Sequence, residues 1–398
     1  MTRRTIGVVV LLAVVVIAGV TIATEKERAP FPPQALAQNR AASASVRWIP
    51  ATSRPSPPVI KAAASGSIWA RPTAAVTARH KRRSGLAWIL RQLGASDQLV
   101  NRLASRHVAE ALTELKQRAN AGDPKAINIL GEFAFQQCYL GRSPAMLDEG
   151  LAMEVADART LPPADAAWFD AVLREDIAYD KQVAAACQQT VNVDRVFELV
   201  KARARQGDGA SLWLWSRSAD NYMNSQQHLR DAAAAGFSEG EFELAWAIIG
   251  GQQGAAGSGP NKVNAGDMFR KSAGVLPRSE AELAVCEYRG CPGIATDLAS
   301  AVSHAREAAQ RGSIDAIITI GPRMQESLIN PDEVSAWKLI RGSLAQQGCI
   351  SNGINIMWMR DIESMLSSAD ISANARALAD QYWQTYGARI LANLGCNP

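Results

Sequence analysis

Histidine is almost missing from this chain: His80, His107, His228 and His304 are the only four in 398 residues, and no two stand in an H-E-x-x-H spacing. The one G-x-S-x-G spacing, Gly236-Phe237-Ser238-Glu239-Gly240, has no strand before it and falls in an alanine-rich helical context, and no phosphate loop closes on Lys-Ser/Thr, so the usual nucleophile-elbow, metalloprotease and nucleotide signatures are not met. The glycine run from Gly250 to Gly259 precedes Pro260, with no lysine and hydroxyl after it and no strand before it, so it reads as a loop between helices. C-x-x-C is absent, which argues against a redox dithiol. The nearest metal-like spacing, Cys286-x4-Cys291, has no second ligand pair. No segment alternates apolar and polar residues with a period of two, so no sheet is expected. These absences leave no catalytic residue, cofactor-binding residue or metal ligand to name, and the chain reads as a non-enzyme.

What is present is a glycine register. Gly122, Gly207, Gly236, Gly312 and Gly348 each follow an alanine by three residues: Ala119, Ala204, Ala233, Ala309 and Ala345. Four residues after each glycine stands a small or short residue (Ala126, Ser211, Gly240, Ala316, Asn352), and eight after it a bulky apolar one (Leu130, Trp215, Leu244, Ile320, Ile356). Glycine just past a helix end enters the left-handed region without a Cβ clash. Asp123 and Asp208 directly follow two of the glycines and are placed to cap the next helix. The small residues allow two helices close approach, and the bulky one fills the groove between hairpins.

The glycines are spaced by 85, 29, 76 and 36 residues. The two long gaps are near twice a repeat of about 40, within the range of helical solenoids. The 76-residue gap holds a degenerate unit, one helix ending at Gly274 and another starting near Ser279 as its N-cap. In the 85-residue gap, 163–173 and 191–204 are helix-like. An irregular alanine-rich bundle is the competing architecture.

The register resembles the Sel1-like repeat, a relative of the tetratricopeptide repeat. The residues that carry the resemblance are Ala121-Gly122-Asp123-Pro124-Lys125-Ala126 with Leu130-Gly131, the run from Leu229 to Gly236, and the run from Asp297 to Gly312. It spans roughly 110 to 365 with gaps, and most units lack the second glycine turn and the aromatic of the family pattern. It implies an all-α solenoid of helical hairpins with an adaptor or scaffold role.

Composition divides the chain in three. Between Arg4 and Glu25 no charge occurs, and Thr5 to Thr24 are rich in Val, Ile, Leu and Ala. About 20 such residues span a bilayer, whereas the core of a cleaved signal has about 7 to 15. Residues 1–24 therefore read as a signal anchor or a signal peptide. With Arg3 and Arg4 before the apolar stretch, the body is expected outside the cytoplasm: single-pass in a bacterial inner membrane with the C-terminal domain in the periplasm, or secreted or soluble periplasmic after cleavage. Residues 25–84 hold eight prolines, eleven Lys or Arg and two Glu, and read as a disordered basic linker rich in Pro, Ala and Ser. Its last charges, Arg79-His80-Lys81-Arg82-Arg83, read as solvated linker, with anionic lipid, cell-wall polymer or nucleic acid as the binding alternatives. Nucleic acid is not expected outside the cytoplasm. Residues 85–398 carry 29 basic and 36 acidic residues and form the helical repeat domain.

All six cysteines, Cys138, Cys187, Cys286, Cys291, Cys349 and Cys396, fall in that body, and an even count in an exported chain reads as disulfides. Six allow 15 pairings, and order along the chain favours 138–187, 286–291 and 349–396. His107, His228 and His304 sit in charge-rich helical contexts and are expected to face solvent. Trp213 and Trp215 are two apart and cannot share a helix face. Trp215 holds the plus-eight core position, which leaves Trp213 as a surface anchor. Trp213, Arg217 and Trp246 are the candidate partner-binding residues. The function that follows is a membrane-tethered periplasmic scaffold or adaptor for a protein or peptide partner. Its rivals are a cell-wall glycosidase with two carboxylates about 5 to 10 Å apart in a cleft and a steric chaperone for secreted proteins.

Overall fold

The computed structural model describes residues 72–139, 144–217, 222–251, 263–350 and 371–396. The expected anchor, the linker up to residue 71, most of the glycine run, and Asn352 and Ile356 lie outside the described residues. Among the described residues there are sixteen α-helices and no strand. In chain order they are α1 (Ala74–Leu90), α2 (Asp97–Leu103), α3 (Val108–Asn120), α4 (Pro124–Phe133), α5 (Pro144–Ala158), α6 (Pro163–Thr190), α7 (Val193–Ala204) and α8 (Gly209–Ser216). There follow α9 (Tyr222–Ala234), α10 (Ser238–Ile249), α11 (Ala265–Ala273), α12 (Pro277–Arg289), α13 (Leu298–Gln310), α14 (Asp315–Ile320), α15 (Pro331–Gln346) and α16 (Ala373–Leu394). A π-helical turn, Ala134–Tyr139, continues α4.

The five register glycines are five copies of one turn. Each has φ between +77° and +103°. Each glycine N–H donates to the carbonyl of its register alanine, three residues back, at 2.8–3.0 Å, and the next residue's N–H reaches the carbonyl five back at 2.8–3.4 Å. That bond pair is the Schellman cap, and the left-handed residue it needs is why glycine recurs. Gly94 and Gly395 make the same pair of bonds, so two further caps stand outside the register read from the sequence. Asp123 and Asp208 cap the following helices as expected, accepting from the N–H groups of Lys125 and Ala126 and of Ser211.

Across these turns the hairpins pack through small residues. The five alanines are buried, as are Ala126, Ser211 and Ala316 four residues after the glycines. A Cβ on Gly240 would stand 2.9 Å from Ala232 Cβ and 3.1 Å from Ala233 N, so α9 and α10 touch at the backbone. Leu130, Leu244 and Ile320, at plus eight, are buried between units. The second helices of consecutive hairpins, α4, α8 and α10, pack on one another in turn, and α12 packs on α14. Between α4 and α8 the contact includes a polar lock. Ser211 Oγ lies 2.6 Å from Asn128 Oδ1, and Asn128 Nδ2 donates to Asp208 Oδ1 at 3.0 Å.

One core runs from α1 to α12 and a second from α12 to α16. Helix α12 serves both, turning Leu283 and Cys286 to the first and Ala281 and Ala284 to the second. Ser279 is not its N-cap. The helix begins at Pro277, and the Ser279 hydroxyl is buried against Ser272 and the Phe269 carbonyl. The 85-residue gap is filled by α5 and by α6, a 28-residue helix, as an insertion between the first two hairpins.

Residues 74–84, read as linker from the sequence, form the first half of α1. The Arg79–Arg83 cluster is built into the fold and is not a solvated run. Lys81 Nζ stands 2.6 Å and Arg82 Nη1 3.3 Å from the carboxylate of Asp176. Arg82 also lies 4.9 Å from the Tyr179 ring centre, and Arg83 is buried. These partners lie about a hundred residues further on, so no local reading of the charges could find them. Helix α1 also meets the C-terminal turns. Thr77 Oγ1 donates to Gln346 O, Ser84 Oγ to Gly348 O and Arg91 Nη1 to Ala392 O. The Cys349–Cys396 bond joins the residues that follow Gly348 and Gly395. No helix among the described residues is long and apolar enough to cross a membrane.

Candidate functional site: the face of the second helices

Three cysteine pairs are bonded, 138–187, 286–291 and 349–396, in the order expected, and none is left free. Such a set belongs to an oxidising compartment outside the cytoplasm. His80 brings a ring nitrogen to within 4.8 Å of Cys349 and Cys396, but those sulfurs are bonded to each other and supply no thiolate to a metal.

The expected division of labour between the two tryptophans is reversed. Trp213 is fully buried and Trp215 is half-buried. Helix α8 ends at Ser216, and Trp215 falls in its last turn, where its ring stacks at 3.9 Å on His228 of α9. Trp213 points toward the start of α10, 5.5 Å from the Phe237 ring. A wholly enclosed indole cannot touch a partner, so Trp213 is a core residue.

Arg217 caps α8 and is held on three sides. Its Nη1 donates to Glu132 Oε2 at 2.8 Å, and its guanidinium lies 4.5 Å from the Trp213 ring centre and 5.0 Å from that of Phe135. Glu132 is 1% exposed and also accepts from Gln136 at 3.2 Å. Glu243, on α10 beside the same arginine, is pushed above the usual carboxylate range by burial, against the pull of Arg217 and the Trp213 indole. Two carboxylates close to one arginine are a grouping that acid–base chemistry could use. Glu132 nevertheless offers no face to a substrate, since its carboxylate is enclosed and bonded on both oxygens.

The seam continues onto α12. Arg278 forms an ion pair with the fully buried Glu239. Its guanidinium sits between the rings of Trp88, from α1, and Phe242, each 4.2 Å from ring centre to cation. Burial, helped by the nearby charge of Arg217, lowers Arg278 to about 10, and burial lifts Glu282, one turn on, to about 7. Trp88 and Arg278 were invisible in the sequence because they meet only after α1 and α12 have packed, and Glu243 because its neighbour Arg217 comes from the end of α8.

Trp246 completes the face and differs from the rest. It is 43% exposed, with its ring standing edge-on to Phe269 at 6.3 Å. Glu132, Arg217 and Trp246 each follow a register glycine by ten residues, so successive second helices present them at equivalent positions. The first two are spent on each other; the third leaves a supported aromatic surface in solvent.

Two histidines expected to face solvent do not. His228 lies under Trp215. His304, on α13, reaches two buried glutamates of α12, with Nδ1 2.7 Å from Glu287 and Nε2 3.7 Å from Glu280.

No family model matches this sequence, and no curated protein matches it. Solved structures similar to it include the following two. One is a protective antigen present in uropathogenic Escherichia coli strains, described as displaying an SLR fold, at 16% identity over 74% of each chain with a TM-score of 0.30. The other is a Sel1 repeat protein from Oxalobacter formigenes, at 18% identity over 67% of this chain and 89% of that one, with a TM-score of 0.32. At such distances neither transfers a residue role, and the repeat architecture stands on the five capped turns.

Proposed function

We propose that this chain is a helical-repeat scaffold that holds a protein or peptide partner outside the cytoplasm, with residues 5–24 tethering it to the inner membrane. The observation that carries the reading is Trp246. It is a large aromatic residue, supported from below and open above, on a face built from successive second helices. Repeat surfaces of this kind bind by such anchors and need no catalytic group. Three disulfides in the body fit the exported location.

A photo-crosslinking amino acid at position 246 of the full-length chain, expressed in its native envelope, tests this. A discrete protein adduct is expected, competed away by the untagged wild-type chain. Trp246→Ala should weaken capture of the same protein by about tenfold or more, with little change in melting temperature. Labelling confined to lipid or to no discrete species, or capture unchanged by Trp246→Ala, would remove Trp246 from any interface.

A further inference from the structure

The insertion hairpin α5–α6 is unlike the repeats in charge. Residues 144–190 hold nine acidic and three basic side chains, a net of −6, while the whole body from residue 85 onward is only −7. Asp176 of α6 is neutralised by Lys81 and Arg82 of α1, whereas α5 itself holds Asp148, Glu149, Glu154 and Asp157 and no lysine or arginine. The same hairpin carries the two most exposed large apolar side chains among the described residues, Met146 at 57% and Met153 at 66%, both on α5. They are seven residues apart, so they point within about 20° of each other and are separated by about 10 Å along the helix. Glu149, also exposed, lies between them at helical spacing.

This face cannot turn inward. The opposite side of α5 is already spent: Leu147 is buried, and Leu151 and Val155 pack against a core that includes Phe169 and Val172 of α6. Lys181 of α6 reaches Asp148 at 2.6 Å and fixes one edge. Methionine pairs on a rigid helix are soft, adaptable contacts suited to the apolar stripe of another helix. A surrounding negative potential attracts cations and repels nucleic acid and anionic membrane.

We propose that the outer face of α5 docks a cationic amphipathic helix of a protein partner, whose apolar stripe covers Met146 and Met153 while its lysines or arginines face Glu149 and its acidic neighbours. This docking face is separate from the one around Trp246 and does not depend on it.

The test uses the full chain and a synthetic peptide of about 18 residues, long enough to form a helix, made of leucine and lysine at helical spacing. Binding is followed by calorimetry and by fluorescence anisotropy. Dissociation constants on the order of 10 μM are expected, weakening as salt rises. Met146→Ser/Met153→Ser should weaken binding at least about tenfold with an unchanged melting curve, since both side chains are exposed. Glu149→Lys should do the same, and a leucine/glutamate peptide should not bind. Equal binding to the double-serine variant would reduce the effect to charge alone and overturn the proposal. Failure of the lysine peptide to bind by about 1 mM would overturn it too. So would self-association of the wild type that is lost in the double-serine variant, because the occupant would then be a second copy of this chain.

Discussion

Gly348→Ala lowers the unfolding free energy by roughly 4 kcal/mol or more, whereas Gly122→Ala, Gly207→Ala and Gly236→Ala each cost about 1 kcal/mol. All four glycines share the same left-handed conformation and the same pair of cap hydrogen bonds, so the backbone strain of adding a Cβ is common to them. The surroundings differ. At Gly122, Gly207 and Gly236 the new Cβ meets nothing within 4 Å. At Gly348 it stands 2.4 Å from Thr77 O and 3.2 Å from Lys81 N, both backbone atoms of α1. Neither can swing aside as a flexible side chain would. Helix α1 must move as a body, at the expense of its bonds to Gln346 and Gly348 and its seat against α6. Urea unfolding of the four variants separates the two contributions. If Gly348→Ala falls within about 0.5 kcal/mol of the others, α1 does not rest on the C-terminal turn.

Trp213→Ala costs about 4 kcal/mol, in the range for truncating a fully buried aromatic. The indole is 0% exposed and lies against Phe237 on one side and the Arg217 guanidinium on the other. Its removal opens a cavity at the junction of α8 and α10 and leaves the Glu132–Arg217 pair without its cover. Trp246→Ala, by contrast, deletes a ring that is 43% in solvent and costs about 1 kcal/mol or less. Chemical denaturation of the two variants ranks them. The reverse ranking would put Trp213 back at the surface.

The repeats were legible because a Schellman turn is a local object. An alanine, two residues, a glycine and a small residue four further on specify it within eight positions, and Asp123 and Asp208 announce the next helix in the same window. The cysteine pairing was legible for a related reason: each bond joins cysteines that are consecutive along the chain, 49, 5 and 47 residues apart. Gly395 carries the alanine of the register, Ala392, but not its small and bulky residues at plus four and plus eight.

What could not be read depends on contacts far apart in sequence. A run of four cationic residues around His80 looks solvated until Asp176 and Tyr179 arrive from α6. His304 looks exposed on its own helix, and only the packing of α12 sets Glu280 and Glu287 around it. The tryptophan inversion is subtler. The plus-eight rule holds for Leu130, Leu244 and Ile320, but the Trp215 ring stacks on His228 of α9 and stays half-buried, while Trp213 turns into the core beside Phe237.

The glycine register stacks its second helices directly on one another, and the polar lock between α4 and α8 reports on that contact. Asn128 and Ser211, 83 residues apart in sequence, are both buried and bonded at 2.6 Å. A double-mutant cycle with Asn128→Ala, Ser211→Ala and the double variant, read by urea unfolding, should give a coupling energy of about 1 kcal/mol or more. Effects that add to within about 0.3 kcal/mol would mean that the two helices are not neighbours, and the stacked-hairpin account would fail.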